Sequence, residues 1–338
     1  MQPDDTTAAV LRSVGVAEDH IAVVAPLAGG TFNAVTRVTL TDGSDWVVKI
    51  PPPTTDGTLM SYERDLLVNE VEFYTYAGES AAVPRVLHSQ LDPDAPTGPY
   101  VIMSACPGRP WYDIAGATGD RVLSDAEERW LRNELGRIVA RLHSVTGPGG
   151  FGYPSRALGP PAPTWRQAFT AMTDAVLADA DTYSARLPRP AASIRALIAA
   201  ASPVLDDVTR PALVHFDLWQ GNLLVDGEPG ARTIGGIIDG ERMFWGDPVA
   251  DFVSLALFAN MEEDEDFLAG YGSEQPLVFD ASVRLRLALY RCHLYLIMLV
   301  ETVPRRAPQE HLDRVWKEVG PQLESALGDV ESALRARE

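Results

Sequence analysis

The chain contains 338 residues, of which 46% are hydrophobic, so it is long enough to bury a sizeable core in two domains or lobes. Its formal net charge of −19 argues against nucleic acid or an anionic membrane as a partner, because either would require a basic face. Cys106 and Cys292 lie far apart and no apolar stretch is long enough for a membrane span, so we expect a cytoplasmic protein. We expect it to be a monomer or a homodimer.

The N-terminal part of the chain alternates apolar and polar residues as β-strands do. After a short amphipathic helix at 5–17, strands are predicted at 21–27, 35–40 and 46–50. The turn between the first two strands contains Gly29 and Gly30, whose backbone amides can approach phosphates closely. A plain hairpin is the alternative, and these residues alone favour it. Neither a P-loop nor a G-x-G-x-x-G fingerprint occurs here, so ordinary P-loop and Rossmann sites are excluded.

Lys49 lies inside the apolar strand at 47–50, where a lysine is costly unless it has an anionic partner. The alternative is an edge-strand lysine that points to solvent. The next predicted helix, at 62–76, carries Glu63, Glu70 and Glu72, any of which can supply that anion. The helix therefore decides between the two interpretations.

Two further strands, at 83–87 and 100–104, would complete a five-stranded lobe, and the Pro and Gly of 105–108 mark a boundary after it. We predict an N-lobe at 1–106 and a C-lobe at 107–338. Ser124 and Glu127 form a capping box that starts a helix ending near His143, which we interpret as structural. Further helices are predicted at 164–182, 190–208, 279–303 and 308–335.

The polar residues that carry chemistry gather in 213–225 and 237–241. His215 precedes Asp217, four residues separate Asp217 from Asn222, and Asp239 ends the next apolar run. By itself, Asp-x4-Asn mostly indicates a turn. Phosphoryl transfer, however, needs this set: one carboxylate that accepts or orients a hydroxyl proton, and an amide oxygen with a second carboxylate that hold a metal.

The pattern His-x-Asp-x4-Asn followed by Asp-Gly resembles the catalytic and metal loops of the protein-kinase-like fold. Val-His-Phe-Asp-Leu-Trp-x-Gly-Asn is similar to the aminoglycoside phosphotransferase and fructosamine kinase branch of that fold. The resemblance implies an α+β, two-lobed protein-kinase-like fold with a small β-rich N-lobe and a larger, mainly helical C-lobe. It also implies an O-phosphotransferase that uses ATP (or GTP) and Mg²⁺.

The expected acceptor is a hydroxyl of a small molecule, and we favour an antibiotic or an amino sugar. A metabolite kinase of the fructosamine, choline or homoserine type remains an alternative, because a fold does not determine a substrate. An inactive kinase-like protein that binds nucleotide is an alternative from a different class.

Site roles also follow from the resemblance. It implies that Asp217 is catalytic, that Asn222 and Asp239 bind Mg²⁺, and that Lys49, oriented by Glu70, holds the nucleotide phosphates. Glu63 or Glu72 would replace Glu70 if the phase of the helix is misread. The remaining nucleotide-binding residues implied are Gly29, Gly30, Val35, Val47, Met103, Ser104, Cys106, Leu224 and Ile238, with the backbone of 104–106 pairing with adenine.

The sequence departs from the protein kinases in two places. Phe216 stands where they have Arg, and Gly240-Glu241 stands where they have Phe-Gly, so a regulated protein kinase is disfavoured. A metal-dependent hydrolase that uses His215 is a further alternative, although the six histidines are scattered. We expect His215 to pack behind the catalytic loop, and Asp247 to support that loop by hydrogen bonds.

Overall fold

The structure, a computed structural model, describes residues 5–27, 32–52, 59–78, 80–116, 119 and 121–336. The strands are β1 (Ile21–Pro26), β2 (Ala34–Leu40), β3 (Asp45–Ile50), β4 (Val86–Gln90), β5 (Tyr100–Ser104), β6 (Arg109–Pro110), β7 (Ala212–Val214), β8 (Leu223–Asp226), β9 (Thr233–Ile237) and β10 (Phe244–Gly246). The helices are α1 (Asp5–Ser13), α2 (Leu66–Ala77), α3 (Trp111–Ile114), α4 (Asp125–Ser144), α5 (Trp165–Thr182), α6 (Ala191–Ala201), α7 (Phe252–Leu255), α8 (Glu265–Glu274), α9 (Ala281–Val300) and α10 (Gln309–Arg335).

Within the described chain, β1 to β5 form one antiparallel sheet in the order β1-β2-β3-β5-β4. Side chains alternate between its two faces, as the period of a strand requires. Ile102 packs with Val10 and Leu11 of α1 on one face. Val101 and Met103 belong instead to the main core, on the side of α2. The sheet is therefore covered by a different helix on each face.

The larger, mainly helical part follows β5, and its core continues without interruption from the α2 side of the sheet. Helix α9 lies at its centre and is buried along most of its length, in contact with α5, α6, α7 and α10. This arrangement of a small antiparallel sheet lobe and a helical lobe confirms the predicted fold class. The predicted boundary between residues 106 and 107 falls in the segment that follows β5, and it remains a prediction.

Local sequence signals account for where several helices begin and end. The Ser124–Glu127 capping box is present at the start of α4, as predicted. The helix predicted at 62–76 is instead a 3-10 turn, Ser61–Glu63, followed by α2, because Asp65 adopts a left-handed conformation (φ 59°) between them. The helix predicted at 190–208 changes to a 3-10 turn at Ser202, because Pro203 cannot donate the next helical hydrogen bond.

Two short antiparallel ribbons position the loops of interest. β7 pairs with β10, and β8 pairs with β9. The segment 215–222 connects β7 to β8, and the segment 238–243 connects β9 to β10. Both connections therefore emerge beside each other, facing α2 and the sheet. None of the helices in the described ranges is both long and apolar enough to cross a membrane.

Candidate active site

The loop after β7 and the loop after β9 are joined by hydrogen bonds. The N–H of Ile238 donates to the carbonyl of Asn222 over 3.0 Å. The Asn222 side-chain amide donates to the Asp217 carbonyl (2.9 Å) and to Asp217 Oδ2 (3.2 Å). Because its nitrogen is engaged in this way, the Asn222 side-chain oxygen is directed away from Asp217 and is available as a ligand.

His215 lies behind this loop, as predicted. Its Nε2 is 3.0 Å from the Ile238 carbonyl, and its Nδ1 accepts from the Asp217 N–H at 3.2 Å. These two contacts require a neutral imidazole that is protonated at Nε2, since Nδ1 must accept. The edge of the ring also meets Phe73, with 4.9 Å between centroids. With both nitrogens bound to protein, His215 is not a metal ligand in this arrangement, which counts against the hydrolase alternative.

Asp251, at the start of α7, holds the backbone of the loop at 215–222, which the sequence predicts to be the catalytic loop. Its carboxylate accepts from the N–H of His215 (3.1 Å) and of Phe216 (2.5 Å), and it also contacts His143 Nε2 (2.9 Å). Phe216 has a φ of 64°, a left-handed conformation that is uncommon for a bulky residue. Asp251 is fully buried, and its hydrogen bonds to the N–H groups of residues 215 and 216 stabilise that conformation. Its contact with His143 agrees with the structural role predicted for this histidine.

Asp247 does not have the supporting role that the sequence suggested. Its carboxylate accepts from Val249 N–H (3.2 Å) and Tyr290 Oη (2.6 Å), and it pairs with Arg286. These contacts attach the segment before α7 to α9. The expectation for Asp247 was therefore wrong. The loop is supported by Asp251, four residues later, because the carboxylate of Asp251 reaches the N–H groups of residues 215 and 216.

Lys49 on β3 is buried and surrounded by carboxylates. Its Nζ lies 2.5 Å from Asp239 Oδ1, 2.7 Å from Glu241 Oε2 and 2.9 Å from Glu70 Oε2. Burial acts to lower the pKa of Lys49, but the three carboxylates outweigh it and raise the pKa well above its usual value. The ammonium is therefore charged at neutral pH. The structure brings Lys49 and Glu70 together, as the resemblance implied, and excludes a solvent-facing edge lysine.

The two alternative partners of Lys49 are engaged elsewhere. Glu63 accepts from the Met60 N–H at 2.8 Å and pairs with Arg305. Glu72 accepts from the Trp245 indole N–H at 3.1 Å. Of the three acids, Glu70 is therefore the one that reaches the lysine: Glu72 lies on another face of α2, and Glu63 lies on the 3-10 turn that precedes this helix.

Glu241, two residues after Asp239, also belongs to this cluster, and the sequence did not predict its contact with Lys49. It contacts Lys49 and also accepts from Asn33 Nδ2 at 2.6 Å, just beyond the predicted glycine turn. Burial raises the pKa of Glu241 to about 7. One ammonium therefore faces three carboxylates, of which Glu70 and Glu241 are buried and Asp239 is partly exposed, so the cluster has an excess of negative charge.

A series of ion pairs that the sequence did not predict begins at Asp217. Arg242 Nε lies 3.8 Å from Asp217 Oδ2, and Arg242 Nη2 lies 2.8 Å from Glu301 Oε2. Arg305 continues the chain, 3.2 Å from Glu301. Burial raises the pKa of Asp217, and the charge of Arg242 opposes that rise. The only sequence signal for Arg242 was its position three residues after Asp239, while Glu301 is 59 residues further along the chain.

The apolar residues predicted around the nucleotide lie on the same face of the sheet as Lys49. Val35 is directly opposite Lys49 on β2, and Val47 is directly opposite Met103 on β5. Leu224 and Ile238 lie on the paired β8–β9 ribbon and just after it. A Cβ at Gly236 would lie 2.9 Å from Cys106 Sγ, so this ribbon directly meets the segment after β5. Gly29 and Gly30 fall outside the described residues.

The segment 104–106 has part of its backbone already paired with protein. The Ser104 N–H donates to the Arg85 carbonyl at 2.9 Å, and the Ala105 N–H donates to the Asp45 carbonyl at 3.0 Å. Among the hydrogen bonds of the described residues, none uses the Cys106 N–H. A base that pairs with this segment therefore finds its donor at Cys106. Burial raises the pKa of the Cys106 thiol to about 11.

A sequence model of a phosphotransferase enzyme family (APH) matches residues 23–290, which include both loops and all the strands described above except the first two residues of β1. The chain belongs to this family. It is accordingly a small-molecule phosphotransferase. No curated protein sequence matches it.

Solved structures show the same protein-kinase-like fold. A structure from Thermobifida fusca described as a candidate fructosamine-3-kinase has a TM-score of 0.64 at 21% identity, covering 99% of this chain and 100% of that one. Macrolide 2'-phosphotransferase MphH from Brachybacterium faecium has a TM-score of 0.59 at 17% identity, covering 94% and 99%. The GDP and kanamycin complex of APH(2") has a TM-score of 0.62 at 18% identity, covering 95% and 99%.

Proposed function

We propose that this phosphotransferase moves the γ-phosphoryl group of ATP (or GTP) to a hydroxyl of a small molecule, an antibiotic or amino sugar. The observation that carries the proposal is the contact of the buried Lys49 ammonium with Glu70 and Asp239, at 2.9 and 2.5 Å. These side chains come from three separate elements, and they meet beside the loop that carries Asp217 and Asn222. A fold can be stable without such a costly ionic cluster, so its presence supports a function that uses it.

Lys49 would hold the phosphates of the nucleotide. Its side chain is fixed by Glu70, and its charge is maintained by the surrounding carboxylates. Glu241 also contacts the ammonium, so phosphate oxygens that reach Lys49 would take the place of this carboxylate. The Val35, Val47 and Met103 face of the sheet would cover the base, with Cys106 N–H as its donor.

Asn222 and Asp239 fit a Mg²⁺ ion by the chemistry of their donors. Both offer hard oxygen atoms, and Mg²⁺ takes few protein ligands because it keeps waters and substrate phosphates. When bound, Mg²⁺ would neutralise the charge that develops on the transferred phosphoryl group. The excess of negative charge around Lys49 supports this assignment independently of the motif.

Asp217 would accept or orient the proton of the acceptor hydroxyl. Its position is held on one side by the Asn222 amide and on the other by Arg242. A carboxylate this well oriented can supply a positioned base without further movement, and positioning accounts for much of the acceleration of phosphoryl transfer. The names of the similar structures, which include kanamycin, a macrolide and fructosamine, favour a sugar-bearing acceptor.

The test is release of ADP from ATP in the presence of Mg²⁺, measured across aminoglycosides, macrolides, ketosamines, amino sugars and small alcohols. We expect one acceptor class to stimulate turnover, and Asp217→Asn to lower kcat by about 100-fold or more. Asp181→Asn, an exposed carboxylate on α5, is the matched control and should leave kcat unchanged. Full activity of the Asp217 variant would remove this residue from the proposed role.

Nucleotide binding without stimulation by any acceptor class would oppose the transferase assignment of this site and favour a kinase-like binding protein. Absence of nucleotide binding would overturn the proposal as a whole.

A further inference from the structure

Helix α2 contacts the segment 238–243, which carries Asp239, through a tyrosine hydroxyl. Tyr74 Oη donates to Glu70 Oε1 over 2.9 Å, and it accepts from the backbone N–H of Asp239 over 2.9 Å. Tyr74 and Glu70 are both buried. A single hydroxyl therefore joins the carboxylate that fixes Lys49 to the backbone of the residue proposed to hold the metal.

Asp239 depends on this contact for its orientation. It has a φ of 64° and a ψ of 48°, a left-handed conformation that costs free energy for a residue with a side chain. Its N–H is held by Tyr74, and the preceding carbonyl, that of Ile238, is held by His215. The two hydrogen bonds fix the peptide that precedes the Asp239 side chain. They therefore determine where its carboxylate points.

The residue beside Tyr74 reinforces the same contact. A Cβ at Gly240 would lie 2.5 Å from Cδ1 and 3.0 Å from Cβ of Phe73, so the helix packs directly on the loop only because residue 240 has no side chain. The Phe73 ring also meets His215 edge-on. In this chain the aromatic residue between helix and loop is supplied by α2, whereas the loop itself carries Gly240-Glu241.

We propose that Tyr74 is a positioning residue that couples the Lys49–Glu70 pair to Asp239, with Phe73 and Gly240 forming the packed contact that keeps its hydroxyl in register. This inference rests on the proposed function, because the groups it aligns are the ones proposed to hold the phosphates and the metal. A displacement of α2 would move Glu70 and the Asp239 backbone together. Mg²⁺-nucleotide binding and the placement of α2 are thereby linked.

The test is Tyr74→Phe, which removes only the hydroxyl, compared with Tyr76→Phe on the same helix, whose ring packs on Trp245. The first readout is hydrogen exchange at the Asp239 amide, which needs neither nucleotide nor turnover. We expect exchange there to increase about tenfold in Tyr74→Phe, the effect of losing one buried hydrogen bond, and to be unchanged in Tyr76→Phe. Exchange in α9 should be unaffected in both variants, because that helix does not contact the hydroxyl.

The second readout is binding of Mg²⁺-ADP by calorimetry, followed by steady-state kinetics. We expect the Kd and the KM for nucleotide to rise about tenfold in Tyr74→Phe, with kcat changed less, because Asp217 keeps its own supports. Gly240→Ala, which should push the loop from Phe73, is expected to weaken binding as well.

The outcomes separate this inference from the proposed function. If the unaltered protein binds no Mg²⁺-nucleotide, the proposed function fails, while the exchange experiment still reports on the Tyr74 contact. If the unaltered protein binds nucleotide, and Tyr74→Phe equals it in affinity and in Asp239 exchange, the positioning role is refuted. An increase in exchange spread evenly over the core, with unchanged affinity, would reduce Tyr74 to a purely structural residue and would also refute the role.

Discussion

Asp251 offers the sharpest test of how the catalytic loop is held. Asp251→Asn replaces one carboxylate oxygen by an amide nitrogen, which then faces either the Phe216 N–H that Oδ1 binds or the His215 N–H and His143 Nε2 that Oδ2 binds. Hydrogen bonds to a charged acceptor contribute about 1.5–3 kcal/mol each, and the amide can keep only part of the set. Losing one to two of them in a fully buried site should lower the free energy of unfolding by about 3–5 kcal/mol.

The assay is urea unfolding followed by circular dichroism, with Asp181→Asn as the exposed control, which should change stability by less than about 0.5 kcal/mol. An unchanged m-value would show that the denatured state is the same in both proteins. We also expect a fall in kcat, because a left-handed Phe216 positions the residue that follows it. A loss of stability below about 1 kcal/mol would refute the reasoning, since the loop would then be held by other contacts.

Three further predictions concern single groups. Asp239→Asn should weaken Mg²⁺-nucleotide binding by about tenfold or more, measured by calorimetry, and an unchanged titration would contradict its role as a ligand. Burial lowers the pKa of His293 to about 3, so the unfolded chain takes up a proton that the folded protein excludes. The free energy of unfolding should therefore fall as the pH drops from about 6.5 towards 3, and His293→Gln should flatten that part of the pH–stability curve; an equal slope in the variant would contradict this. In a Cys292→Ser background, alkylation of Cys106 should stay slow at pH 8 and accelerate towards pH 11, and rapid labelling at pH 8 would contradict the raised pKa of this thiol.

The sequence predicted well those features that depend on residues close to each other along the chain. Strand periodicity located β1, β2, β3 and β5, and the capping box located the start of α4, because these signals depend on residues within a few positions of each other. The spacing of Asp217 and Asn222 identified their loop for the same reason. The fold class and the phosphotransferase family were implied by the family resemblance that the motifs at 213–225 and 237–241 carry.

The tertiary structure decided which distant groups meet. The resemblance implied Glu70 as the partner of Lys49 but left Glu63 and Glu72 open, and the packing of α2 against the sheet decided for Glu70. The sequence placed the support of the catalytic loop at Asp247, but the packing of α7 put Asp251 there.

The contacts that join Arg242 to Glu301, and Tyr74 to Asp239, span 59 and 165 positions of the chain. Hydrogen bonds and ion pairs act over a few ångströms, so which residues form them depends on how whole helices pack. That packing is a property of the entire core, whereas a sequence pattern reports only the residues within it.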